Sequence, residues 1–132
     1  MIIIKNSQLD IESISALNSL IDLDIPANLA FRLMRIIKEV SSMVDDKLKL
    51  ERRIFDKHTE KDESGNPILV TDESGNKVPD AVRIKDMNLF NAEISDLMSV
   101  ENEINYEKIK FEDLGLKTAK VSDLMKIDFL FD

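Results

Sequence analysis

The pentapeptide Asp-Glu-Ser-Gly-Asn occurs twice, at residues 62–66 and 72–76, and oxygen-bearing side chains alternating toward a glycine are what a calcium loop would use. An EF-hand loop places ligand oxygens at positions 1, 3, 5 and 12 with glycine at 6, and position 12 must be a bidentate Glu. With Gly65 in the glycine slot, Glu60, Asp62 and Ser64 fill the first three ligand positions, but the last falls on Thr71. With Gly75 there, the first and last positions are Val70 and Ala81. Neither register closes a coordination shell. The alternative is turn chemistry: Asp and Ser bond the backbone just ahead, and Gly or Asn takes positive φ at little cost. Ile68, Leu69, Val70 and Thr71 between the copies favour a strand. The second copy therefore reads as the loop of a β-hairpin.

The remaining inventory for catalysis is short. His58 is the single histidine and there is no cysteine, so neither a Ser-His-Asp triad nor a Cys-His pair has independent support, and a multi-histidine or thiolate metal site is excluded. His58 falls where the longest helix should end, a position at which a cation complements the helix dipole. Three glycines in the whole chain cannot build a phosphate-cradling loop. Adjacent acids at Asp45-Asp46, Asp62-Glu63, Asp72-Glu73 and Glu112-Asp113 are the pattern of solvated loops and polar helix faces rather than of a carboxylate hydrolase. Lys47, Lys49, Arg52 and Arg53 are interspersed with Asp45, Asp46, Glu51 and Asp56, which predicts a helix face laced with ion pairs. The expectation is a protein that is not an enzyme and needs no cofactor or metal.

Charge narrows the partner class. Lys plus Arg number 18 against 26 Asp plus Glu, a formal charge of −8, which repels phosphate backbones and argues against direct nucleic-acid binding. Aromatics are 5% of residues with no Trp, so platforms for stacking bases are not expected either. The absence of cysteine suits a reducing compartment or a phage particle. No apolar run reaches membrane-spanning length and the start, MIIIKNSQLD, is too briefly apolar for a signal-peptide core. A soluble protein, in the cytoplasm or in a virion, is expected.

Elements follow from periodicity. Residues 1–5, MIIIK, form a β-branched run that favours a strand. Leu9, Ile14, Leu17, Leu20 and Ile21 share a helical face, with Asn6 or Ser7 as the cap. From Pro26 to about Lys57 there is no Gly or further Pro, and Leu29, Leu33, Ile36, Ile37, Val40, Met43, Val44, Leu48, Leu50, Ile54 and Phe55 keep a helical stripe, thinner in its second half. A hairpin at about 67–79 follows. Pro79-Asp80 should then restart helix to about Val100, with Val82, Met87, Phe90, Ile94, Leu97 and Met98 on one face. Residues 103–111 alternate as a strand, a partner for MIIIK. After Gly115 a short helix or turn closes the chain, with Leu124, Met125, Phe129 and Leu130 as core. The architecture expected is α+β and mainly helical. It is one domain over 1–132, built on a long antiparallel helical hairpin at about 26–100. A small sheet lies at the hairpin's base, and a β-hairpin insertion at about 62–79 lies at its tip.

The segments MIIIKNSQL, LDIPANLAFRLMRIIKEV, the acidic DESGN linker, INYEKIKFEDLG and VSDLMKIDFLFD together resemble a set of small bacteriophage proteins of unknown function. In those, a short strand, two long amphipathic helices with an acidic Gly-containing linker and a terminal DLM-x-x-(D/E)-FL segment follow one another. The resemblance implies a phage origin and a binding role, and it carries over no catalytic or ligand residue. Two binding functions are expected from it and from the charge. One is an accessory or assembly adaptor that docks a viral or host protein, or another copy of itself, through the long helix. The other is an acidic inhibitor of a host nucleic-acid-binding defence protein, of anti-CRISPR or anti-restriction type. Met43 and Leu50, on the thinner half of the long helix, are the residues expected to serve the first. Asp45, Asp46, Asp62, Glu63, Asp72 and Glu73 are those expected to serve the second. Because −8 is an ordinary charge for a soluble acidic protein, the adaptor is favoured.

Overall fold

The computed structural model of the protein describes residues 1–116 and 120–132. Ile2–Lys5 form strand β1, with Ile2 and Ile4 buried and Ile3 and Lys5 facing outward. Its partner is Glu101–Ile104, strand β4 by chain order, paired antiparallel with Ile2 opposite Ile104 and Lys5 opposite Glu101. This register keeps Ile2, Ile4 and Ile104 on the buried face, and a slip by one residue would turn all three to water. The pairing is the one expected, but the second strand is shorter than 103–111. Past Ile104 the chain turns at once, Tyr106 N–H donating to the Ile104 carbonyl at 2.8 Å. Ile109 is then drawn into a parallel bridge with Phe131.

Helix α1, Ile11–Ile21, is capped by Asp10, whose carboxylate accepts from Ser13 N–H at 2.7 Å. A cap of this kind contributes about 1 kcal/mol. The cap expected at Asn6 or Ser7 lies instead in a 3-10 turn, Asn6–Gln8, and Leu9 is buried ahead of the helix rather than on its stripe. That turn lets the chain leave β1 and drop Leu9 into the core before the helix begins.

Helix α2, Ala27–His58, runs 32 residues, about 48 Å at the α-helical rise, within a residue of both expected ends. Leu29, Leu33, Ile36, Val40 and Val44 are buried at spacings of three and four. Lys47 continues the same spacing and is buried too, its ammonium donating to the Leu9 carbonyl at 2.6 Å. Within the basic run of α2, the stripe's register thus turns Lys47 inward, so that run does not lie on one solvated face. Its methylene stem packs like an apolar residue while its tip finds a carbonyl.

By its contacts the chain forms two units, Met1–Leu48 with Met98–Asp132, and Lys49–Leu97, and α2 runs from the first into the second. The first unit holds the core: β1, β4, the inward faces of α1 and the first half of α2, Ile109, Leu114, and Ile127, Phe129 and Leu130 near the end of the chain. A short helix, Val121–Lys126, and a 3-10 turn, Asp128–Leu130, precede the last residues.

The second unit begins with the later turns of α2. Strands β2, Leu69–Thr71, and β3, Lys77–Val82, pair antiparallel, with Leu69 opposite Val82 and Thr71 opposite Lys77. Helix does not restart at Pro79. Extended pairing continues through Arg83, which donates to the Ile68 carbonyl at 2.8 Å and accepts from Glu60 N–H at 2.8 Å, and Thr59 bridges Ile84. Val82 and Ile84 keep the period-two pattern, and Pro79 is tolerated because each strand of a two-stranded ladder has a free edge. Helix α3, Met87–Ser99, starts after Asp86, whose carboxylate accepts from Asn88 and Leu89 N–H at 3.0 and 3.2 Å. The short helix of the first unit, Val121–Lys126, is α4. The fold is α+β, and no described helix is long and apolar enough to cross a membrane.

Candidate functional site

The two DESGN segments take the same conformation. Asp62 Oδ1 accepts from Ser64 N–H and Asn66 N–H, both at 2.9 Å, and Asp72 Oδ1 accepts from Ser74 and Asn76 N–H at 3.0 and 2.9 Å. Gly65 and Gly75 adopt φ of 82° and 84°, a region that costs any side chain with a Cβ. Each copy is a turn, one across the Lys61–Pro67 bridge and the other between β2 and β3. One carboxylate oxygen of each Asp is thereby committed to the backbone. Glu63 and Glu73 are exposed at the turns. Among the described residues no group of three or more His, Cys, Asp or Glu is placed to hold a metal ion.

The other expected binding residues lie along α2. Asp45 and Asp46 are exposed, whereas Met43 is half-buried and packs against the core of the first unit. Leu50, in the second unit, lines a hollow of about 200 Å³ with Arg53, Ile54, Lys57 and Glu93. Asp62, Glu63, Asp72 and Glu73 belong to that unit as well, while Met43, Asp45 and Asp46 belong to the first.

His58 is the last residue of α2, as its spacing predicts, and is buried. Its ring meets Phe90 edge-on with centroids 5.9 Å apart, and Phe90 makes a similar contact with Phe55 at 6.4 Å. His58 Nε2 lies 3.2 Å from Glu93 Oε2 without the alignment of a hydrogen bond, while Lys57 Nζ donates to Glu93 Oε1 at 2.6 Å. The Lys57 hydrogen bond, with the His58 ring second, holds the Glu93 carboxyl below the usual range. The cluster fastens the end of α2 to α3.

A larger concavity lies in the first unit, at the closing segment. Ile109 N–H donates to the Leu130 carbonyl at 2.9 Å and Asp132 N–H to the Ile109 carbonyl at 3.1 Å, which stitches the last residues alongside 109–111. Phe111 and Phe131 then stand edge to face, centroids 5.9 Å apart. With Val121, Leu124 and Met125 of α4 they line a groove of about 490 Å³, whose remaining lining is Asp128 and Asp132. That volume is in the range of about 300–1,000 Å³ that takes a ligand or an anchoring side chain. Val121 and Met125 are 69% and 72% exposed, adjacent on one helix face by their spacing of four.

Met125 is therefore not core, while Phe129 and Leu130 are buried as expected and Leu124 is half-buried. In VSDLMKIDFLFD the apolar residues are mixed with Ser, Asp and Lys without a clean period, so the sequence does not show which of them face inward. Val121, Leu124 and Met125 share one face of this six-residue helix, while the buried Ile127, Phe129 and Leu130 lie beyond its end. Comparison of the chain with protein-family models, with curated proteins and with solved structures finds no match.

Proposed function

We propose that the protein is a non-catalytic binding module that docks a protein partner by seating apolar side chains in the groove between α4 and the Phe111–Phe131 pair. The single observation carrying this reading is the exposure of Val121 and Met125 on the lip of an apolar concavity. Large side chains left in water beside a cavity contribute nothing to folding and gain by being covered. A helical hairpin of α2 and α3 tipped by the two turns is the scaffold in this reading, supported by the Phe55–Phe90 and Lys57–Glu93 contacts. The resemblance of the segments to small phage proteins supports an accessory role toward a viral or host protein.

The test is affinity purification with the wild-type chain and with a Val121→Asp/Met125→Asp variant, followed by a salt series. An apolar contact should survive 0.5 M salt, where the Debye length is only about 4 Å, and should be lost in the double variant. Neutralising Asp45, Asp46, Glu63 and Glu73 should leave it intact. Binding that collapses in salt and with those carboxylates, yet ignores the groove variant, would overturn the docking reading in favour of acidic mimicry.

A further inference from the structure

We propose that the groove's occupant is a second copy of this chain, with Phe31 and Arg35 of one copy seated against α4 and the Asp128 and Asp132 carboxylates of the next. The inference rests on the docking reading above and gives that site its partner. On the outward face of α2 in the first unit, Phe31 is 56% and Met34 48% exposed. The Arg35 guanidinium carbon lies 4.6 Å from the centroid of the Phe31 ring, and Lys38 is exposed one turn on. This is an apolar knob carrying two cations on a chain whose formal charge is −8.

The groove is its chemical counterpart. Its walls are apolar and its charged members are both acids. The cation of α4, Lys126, is paired with Glu12 at 3.3 Å, whereas among the described residues neither Asp128 nor Asp132 is in an ion pair, and neither is Arg35 or Lys38. Acidic partners in general would be repelled by the chain as a whole and drawn to the α2 knob. Basic apolar partners would be drawn to the groove, and the knob is such a partner at a concentration equal to that of the groove itself. The stacking of Arg35 on Phe31 and the bond from Arg32 Nη2 to the Glu107 carbonyl at 2.7 Å hold this stretch of α2 in place, so little side-chain freedom is left to lose on docking. Knob into groove is a heterologous contact, in which each copy offers one half and keeps the other, so assembly proceeds to a ring or an open chain.

Sedimentation velocity of the full chain from about 10 µM to about 1 mM covers the affinities of so small an interface. The wild type should move from monomer to dimer and larger species across that range. Phe31→Ser/Arg35→Asp and Val121→Asp/Met125→Asp should each be monomeric throughout. Mixed in equal amounts, these two variants should form a 1:1 dimer and nothing larger, because one intact knob meets one intact groove. All four residues are exposed or edge positions, and circular dichroism melts verify folding. Should one pair fail to fold, Arg35→Asp and Asp128→Lys, mixed, test the same contact through a swapped charge. A wild type that stays monomeric at about 1 mM overturns self-assembly, as does association that the variants leave unchanged or that mixing fails to restore. A fluorescent alanine-lysine helix carrying Phe and Arg four residues apart separates the two levels. If it binds the monomeric wild type but not the α4 variant, the groove stands and its partner is another protein. If it binds neither, the docking reading falls with the self-assembly.

Discussion

The two units of this chain are held by different forces. Among the described residues every buried apolar side chain except Leu97 lies in the first unit, where two strands, α1 and half of α2 close over isoleucines and leucines. The second unit buries Leu97, His58 and Thr59. Its other fastenings include backbone ladders, two Asp-centred turns, edge-to-face rings, the Lys57–Glu93 bond and the Arg83–Glu60 ion pair. The first gains by removing area from water, a contribution that is non-directional and grows with every methylene. The second gains by satisfying directional groups, each worth little alone. Such a unit folds because its turns are locally specified, and it should open before the apolar core does.

The widest gap should come from deleting core volume. Leu33→Ala in the first unit should cost about 2–5 kcal/mol in urea denaturation followed by circular dichroism, whereas Leu97→Ala should fall at or below the bottom of that range because Leu97 has no comparable core around it. Equal losses would mean that the second unit is as well packed as the first. A smaller effect is expected at the turns. Gly75→Ala places a Cβ at φ of 84°, costing about 1–2 kcal/mol. Hydrogen exchange should quicken at Thr71, Lys77 and Val82 while the amides of β1 and β4 keep their protection. A uniform loss across both sheets would erase the distinction between the units.

The smallest effect is electrostatic and confined to acid. The folded Glu93 carboxyl titrates below its unfolded value, chiefly because Lys57 bonds it. Its contribution is therefore present above the ordinary carboxylate range and is lost as pH falls through the lowered folded value. Melting temperatures of the wild type and Glu93→Gln should differ near neutral pH and converge in acid, once the pH has passed below the lowered folded value. A difference that persists there would show that Glu93 acts through packing rather than charge.

Local chemistry was legible wherever one short stretch answers to one short-range rule. The DESGN turns, the ends of α2, the position of His58 and the pairing of residues 1–5 with the start of 103–111 follow from Asp side-chain reach, Gly at positive φ, an unbroken 3.6-residue period and β-branched alternation. Those rules act within a few residues and need no knowledge of the rest of the chain. They erred where two local rules competed: Pro79 reads as a helix start, yet the alternation of Val82 and Ile84 carried the strand on and left Asp86 to open α3.

What the sequence by itself determined is the element order, the α+β class and the short list of groups able to do chemistry. Only the tertiary structure decided which of the apolar positions find something to cover them and which polar ones are drawn in with them. Lys47 points inward because the α2 stripe brings its tip to the Leu9 carbonyl, a partner 38 residues away in the chain. Met43 is half-buried and Met125 exposed, although both read as apolar positions on a helix. The groove itself exists because Ile109 and Leu130 share a hydrogen bond that sets Phe111 beside Phe131. Periodicity specifies a face, but whether anything is there to cover it depends on contacts between segments far apart in sequence, which no local pattern encodes.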